Sequence, residues 1–109
     1  METQLLAKES ARAAIVEMGH TLIAKNLVAG SWGNISCRID EQSIAITPSG
    51  RGYELLKPED VVLIDREGAV LEGKRIPSSE LKVHTAIYNA YPEAGAVIHT
   101  HSIYASALA

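Results

Sequence analysis

The chain is poor in the features that would send a protein out of the cell or into a membrane. Among its 109 residues Cys37 is the single cysteine. It cannot close an internal disulfide, which fits a reducing cytoplasm and a role as a small buried apolar side chain. No apolar stretch nears the roughly 20 residues that cross a bilayer, and Met1-Glu2-Thr3-Gln4 offers no positive segment leading into an apolar run, as a secretion signal would. Basic residues are scarce as well. Lys and Arg total 10 against 13 Asp and Glu, for a net charge of -3, and none gather into the stripe that a phosphate backbone requires. Nucleic acid and membrane are therefore not expected partners. Internal repeats, low-complexity tracts and linkers are also missing, so the expectation is a single cytoplasmic domain over residues 1–109, whose 47% apolar content suffices for a core.

Proline is absent from Glu2 to Asn26, where Leu5, Ile15, Val16, Met18, Leu22 and Ile23 recur near helical spacing. This predicts an amphipathic helix, with Gly19 as a point of bending. The next segment, Val28-Ala29-Gly30-Ser31-Trp32-Gly33-Asn34, is a small-residue loop whose two glycines permit close backbone approach. Ile35, Cys37 and Ile39 alternate with Ser36 and Arg38, and Ser43-Ile44-Ala45-Ile46-Thr47 follows, which predicts a hairpin closed by the tight loop Pro48-Ser49-Gly50-Arg51-Gly52. Val61–Ile64 and Ala69–Leu71, joined by Asp65-Arg66-Glu67-Gly68, predict a second hairpin. Ser78 or Ser79 caps a helix reaching about Ala90, where Tyr91-Pro92 stops it. Ala96-Val97-Ile98 reads as a buried strand. From Ser102 a further helix begins, with no stop signal before Ala109.

The sharpest chemical signal is His99-Thr100-His101. In an extended chain, positions i and i+2 share a face about 7 Å apart, so two imidazoles can converge on one divalent ion. The same pattern also suits solvated or hydrogen-bonded histidines at a strand end. A structural zinc site would call for more Cys or His nearby; a catalytic site with open coordination positions fits better. Glu80, read as lying in the first turn of its helix, has an ordinary place there because the helix dipole favours carboxylates. Ser78 and Ser79 are ordinary caps, yet a helix N-terminus with N–H groups and two hydroxyls also suits a phosphate. Gly33-Asn34 and Ser49-Gly50 could extend that cradle, though each is an ordinary turn signal. His84, four residues after Glu80, reads as a packing or supporting residue, and His20 as structural.

Taken in order, Gly33-Asn34-Ile35-Ser36, Thr47-Pro48-Ser49-Gly50, Pro77-Ser78-Ser79-Glu80 and His99-Thr100-His101 strongly resemble the class II aldolase and adducin family, in particular the branch that cleaves fuculose 1-phosphate. The resemblance runs from Gly30 through nearly all that follows. It implies an α/β fold of three layers, with a largely antiparallel central sheet between helices. It also implies that Gly33, Asn34, Ser49, Gly50, Ser78 and Ser79 line the phosphate and substrate pocket, that Glu80 is the acid/base and lies near the metal, and that His99 and His101 bind zinc. Ser49 stands where the typical aldolase has Thr, which keeps the hydroxyl. The family's third zinc-binding histidine lies further downstream and has no counterpart here, so the domain is expected to be incomplete at its C-terminus, an N-terminal half. The working unit in such proteins is usually a homotetramer with sites at subunit interfaces.

The implied reaction is cleavage of a small phosphorylated sugar, a ketose 1-phosphate such as fuculose 1-phosphate, to dihydroxyacetone phosphate and an aldehyde. Breaking a carbon–carbon bond beside a carbonyl creates an enediolate, whose charge a divalent metal would spread. Zinc is the expected ion, although imidazole accepts other transition metals. Proton transfer by Glu80 would be eased if burial raised its pKa. Pentulose-phosphate 4-epimerases and methylthioribulose-phosphate dehydratases share the scaffold, and the epimerases generally carry Asp where this chain has Glu80. A non-catalytic, adducin-like assembly module is the alternative outside enzymology, and it would have no need for Glu80 beside a histidine pair.

Overall fold

A computed structural model of the chain describes residues 2–25, 33–50 and 52–100. The described chain opens with helix α1 (Glu2–Ala24) and continues through strands β1 (Gly33–Arg38) and β2 (Ser43–Ile46). Two short 3-10 turns, Tyr53–Leu55 and Pro58–Asp60, lead to β3 (Val62–Asp65) and β4 (Val70–Glu72). Helix α2 (Leu81–Ala90) and strand β5 (Ala96–Thr100) complete it. The expected helices, hairpins and strand are thus present, with α1 ending two residues before Asn26, but β5 is not the buried strand expected: it lies at the edge of the sheet with Ala96 and Ile98 exposed. The helix expected from Ser102 lies outside the described residues.

Turn chemistry closes both hairpins. Asp40 Oδ1 accepts from Gln42 N, Ser43 N and Ser43 Oγ, each at 2.8 Å, and these bonds, the one from Gln42 N first, hold its carboxyl below the usual carboxylate range. Asp65 Oδ1 accepts from Glu67 N and Ala69 N at 2.9 Å, and Gly68 takes the positive φ of 95° that this turn requires. The strands form one antiparallel sheet in the order β4-β3-β2-β1-β5, so β5 pairs with β1 across most of the chain length.

Side chains alternate across this sheet. Ile35, Ala45 and Leu63 face α1 and join Ala11, Ile15, Leu22, Tyr53, Leu56 and Val61 in an apolar core, with half-buried Cys37 packed against it. Ile44, Ile46, Val62 and Ile64 face α2 and pack on Tyr88, Leu81 and Val97. The three layers and the antiparallel sheet are those expected. At Gly19 a Cβ would lie 3.3 Å from Tyr53 Cγ, so the glycine admits the tyrosine ring against α1.

Arg38 fixes the far end of α2. Its guanidinium donates to the carbonyls of Tyr88 and Ala94 at 3.0 Å, and lies 4.9 Å from the centre of the Tyr88 ring. A cation thereby satisfies carbonyls at the end of a helix where the dipole is negative. With its C-terminal end tied to β1, α2 presents its N-terminal end beside the ends of β1 and β5.

Candidate functional site

Three of the motif segments are stitched together by backbone. Thr47 joins the first two, accepting from Ile35 N through its hydroxyl at 3.2 Å and donating its own N–H to Ile35 O at 3.0 Å. The loop after β2 is then sewn to the segment before α2: Ser78 N donates to Thr47 O at 3.0 Å and Ser49 N to Ile76 O at 2.8 Å, with Pro48 opposite Pro77. These bonds explain how residues some thirty apart in sequence can share a site, and they also use up two N–H groups expected in the phosphate cradle. Gly33 and Gly50 adopt φ of 131° and 70°, conformations that favour glycine. Ser49, Gly50 and Ser79 are exposed at the surface, whereas Ser78 is buried.

Glu80 immediately precedes α2 with φ -91° and ψ 12°, rather than lying within its first turn. Its N–H donates to Ser78 Oγ at 3.2 Å, and Leu81 N donates to Ser78 O at 3.1 Å, so Ser78 shapes the turn into the helix while Glu80, and neither of the expected serines, stands at the N-cap position. The Glu80 side chain is 41% exposed, so the burial that would favour its proton transfer is not supplied by the described residues. Its Oε2 lies 3.5 Å from His99 Nδ1. His99 is opposite Asn34 in the β1–β5 register, which sets Asn34, His99 and Glu80 on the α2 side of the sheet.

His84 is fully buried, with its Nδ1 2.5 Å from Ser36 Oγ and its Nε2 bonded to Asn34 Oδ1; Tyr88 Oη lies 2.8 Å from the same serine. Burial first, then the nearby His99, pushes the His84 pKa down to about 4, so its imidazole is neutral near pH 7. Burial likewise pushes the Tyr88 phenol up to about 12. His84 therefore supports other residues, as its helix position suggested. Its partners Ser36 and Tyr88 escaped the sequence reading, although an i, i+4 pair on α2 facing small polar residues on a strand was the available signal. His20 differs from expectation: it is exposed on α1 and lines a shallow groove with Val16, Glu17 and Pro58. Burial raises the pKa of the Cys37 thiol, which sits 3.8 Å from Ala11 O.

A carboxylate oxygen and an imidazole nitrogen that approach one another from separate elements are a donor pair suited to a divalent transition metal. Glu80 and His99 meet that test. Among the described residues no three His, Cys, Asp or Glu side chains form a group that could hold an ion, and His101 lies outside them.

The fold and the sequence have a family counterpart. The sequence profile described as Class II Aldolase and Adducin N-terminal domain matches residues 13–109, and the chain belongs to that family. A 5-deoxy-D-ribulose 1-phosphate aldolase of Bacillus thuringiensis serovar kurstaki is 46% identical over 106 residues, covering 96% of this chain and 49% of the relative. A methylthioribulose-1-phosphate dehydratase of Methylococcus capsulatus is 44% identical, covering 86% and 46%. An L-ribulose-5-phosphate 4-epimerase of Salmonella paratyphi B is 45% identical, covering 76% and 37%. Among solved structures, an L-fuculose 1-phosphate aldolase superposes with a TM-score of 0.86 at 36% identity, over 91% of this chain and 47% of that one. The chain thus spans about half, or less, of the length of these relatives.

Proposed function

We propose that the protein is a zinc-dependent aldehyde-lyase that cleaves a ketose 1-phosphate into dihydroxyacetone phosphate and an aldehyde. The observation that carries this reading is the Glu80–His99 approach of 3.5 Å at the end of α2, on the same sheet face as Asn34. A relative of 46% identity named for a ketose 1-phosphate aldolase supports the substrate class. 5-Deoxyribulose 1-phosphate and fuculose 1-phosphate are accordingly the first substrates to try. The protein works as a cytoplasmic homotetramer in this reading, with sites completed between subunits.

His99 and His101 would hold the ion, with Glu80 near it until substrate enters. A bound divalent ion supplies fixed positive charge against the negative charge that builds on substrate oxygens as the carbon–carbon bond breaks. Glu80 is the proton carrier: its backbone is held by the N–H bond to Ser78 Oγ, yet its side chain stands clear of the core and can reach a reacting carbon or hydroxyl. Ser49, Gly50 and Ser79 bind the phosphate from the outside, and the Ser78 hydroxyl, which accepts from Glu80 N, still has a hydrogen to donate. Gripping the phosphate at a distance from the reacting carbons lets its binding energy orient them. Asn34 meets the substrate from β1, beside Gly33.

The dehydratase and epimerase relatives define the competing readings, and product analysis separates them. Incubation with each ketose 1-phosphate, coupled to an assay for dihydroxyacetone phosphate, is expected to report cleavage. Loss of water from methylthioribulose 1-phosphate, or inversion of a pentulose 5-phosphate without net cleavage, would replace the lyase with the corresponding relative's reaction.

A further inference from the structure

Next to Glu80 and His99 runs a buried line of polar groups: Tyr88 Oη to Ser36 Oγ at 2.8 Å, Ser36 Oγ to His84 Nδ1 at 2.5 Å, and His84 Nε2 to Asn34 Oδ1. The direction of these bonds follows from the Asn34 end. An amide oxygen only accepts, so His84 Nε2, which meets Asn34 Oδ1, is the nitrogen that carries the hydrogen. A neutral imidazole has one N–H and one acceptor, so Nδ1 accepts and the Ser36 hydroxyl donates to it. With the Ser36 hydrogen committed to His84, the Tyr88 hydroxyl is the donor to Ser36 Oγ.

A carboxamide has two unlike ends. With its oxygen committed to His84, Asn34 offers its NH2 to whatever enters from the His99 side. Were the amide turned over, a carbonyl oxygen would face that space and repel the anionic oxygens of a sugar phosphate. We infer that His84 is a positioning residue: held in the Nε2–H form by Ser36 and Tyr88, it fixes the carboxamide of Asn34 so that this position donates to an anionic or carbonyl oxygen of the substrate. Only the identity of that substrate rests on the proposed lyase function.

The tautomer is measurable without turnover. In the whole protein labelled with 15N at histidine, long-range 1H–15N spectra at neutral pH are expected to show His84 protonated at Nε2; a hydrogen on Nδ1 overturns the assignment. Saturating inorganic phosphate is expected to move the side-chain NH2 resonances of Asn34, and resonances that stay still overturn the donor role. Kinetics supply a second arm. His84→Gln, whose amide can place an N–H near Nε2, is expected to keep KM within about threefold, while His84→Leu raises KM about tenfold with a smaller change in kcat. An unchanged KM in His84→Leu, or an equal rise in both variants, contradicts the positioning role. Should the protein cleave no ketose 1-phosphate at all, the lyase reading fails while the spectra still decide this one.

Discussion

The two faces of the sheet are built from alternate residues of the same strands, yet they are filled differently. Towards α1 the interior is almost wholly hydrocarbon, with Ile15, Leu22, Ile35, Ala45 and Leu63 closed around Tyr53. Towards α2 the middle of the sheet is equally apolar, but the β1–β5 end buries Asn34, Ser36 and His84 instead. Burying such groups is costly unless every one is bonded, and here each bonds to the next. An apolar filling would stabilise this end at least as well. The difference teaches that the α1 side holds the fold together, while one end of the α2 side gives up packing efficiency for fixed donors and acceptors beside Glu80 and His99.

The widest separation between the two faces is expected from Glu80→Gln. Turnover should fall by about 10²–10⁴-fold, the scale of a lost acid/base, while the thermal midpoint stays unchanged; steady-state kinetics and a melting curve check the two halves of this statement. Ile15→Ala is expected to do the reverse. It should cost about 2–5 kcal/mol in urea unfolding and leave kcat of the folded fraction intact, because Ile15 touches only the α1 side.

A smaller effect comes from acid. The His84 pKa is lowered from 6.5 to about 4 on folding, so between those values the unfolded chain binds a proton that the folded chain refuses. Stability is therefore complete above pH 6.5 and declines as pH falls towards 4, by roughly 3 kcal/mol at most. His84→Gln should flatten that slope in urea titrations taken at several pH values. The least change is expected from Glu72→Ala on the surface. Its pairs with Lys8 at 2.8 Å and Arg12 at 3.2 Å are half exposed to water, so chemical denaturation should register a loss under about 1 kcal/mol.

Local pattern made much of the fold legible. Helical spacing without proline marked α1, alternation marked β1 and β2, and Tyr91-Pro92 marked the end of α2. What pattern could not supply was pairing between distant segments. Nothing in Ala96–Thr100 announces β1 as its neighbour, and that pairing is what sets His99 opposite Asn34. An alternating strand ordinarily has a wet face, whereas Ser36 is fully buried because α2 covers it. Arg38 reads as a surface cation until its guanidinium is seen capping α2. For the site, the residue types of Glu80 and His99 were evident and their approach was not. Glu80 also proved more exposed than its proposed chemistry first suggested, and it stands at the N-cap of α2 instead of within the first turn.

The claim that the polar end of the sheet is a metal-dependent site is tested most directly by metal analysis of the purified whole protein beside its His99→Ala and Glu80→Gln variants. About one divalent ion per subunit is expected in the parent protein and in Glu80→Gln, with the ion lost from a still folded His99→Ala. A His99→Ala variant that keeps its full metal content would contradict the account.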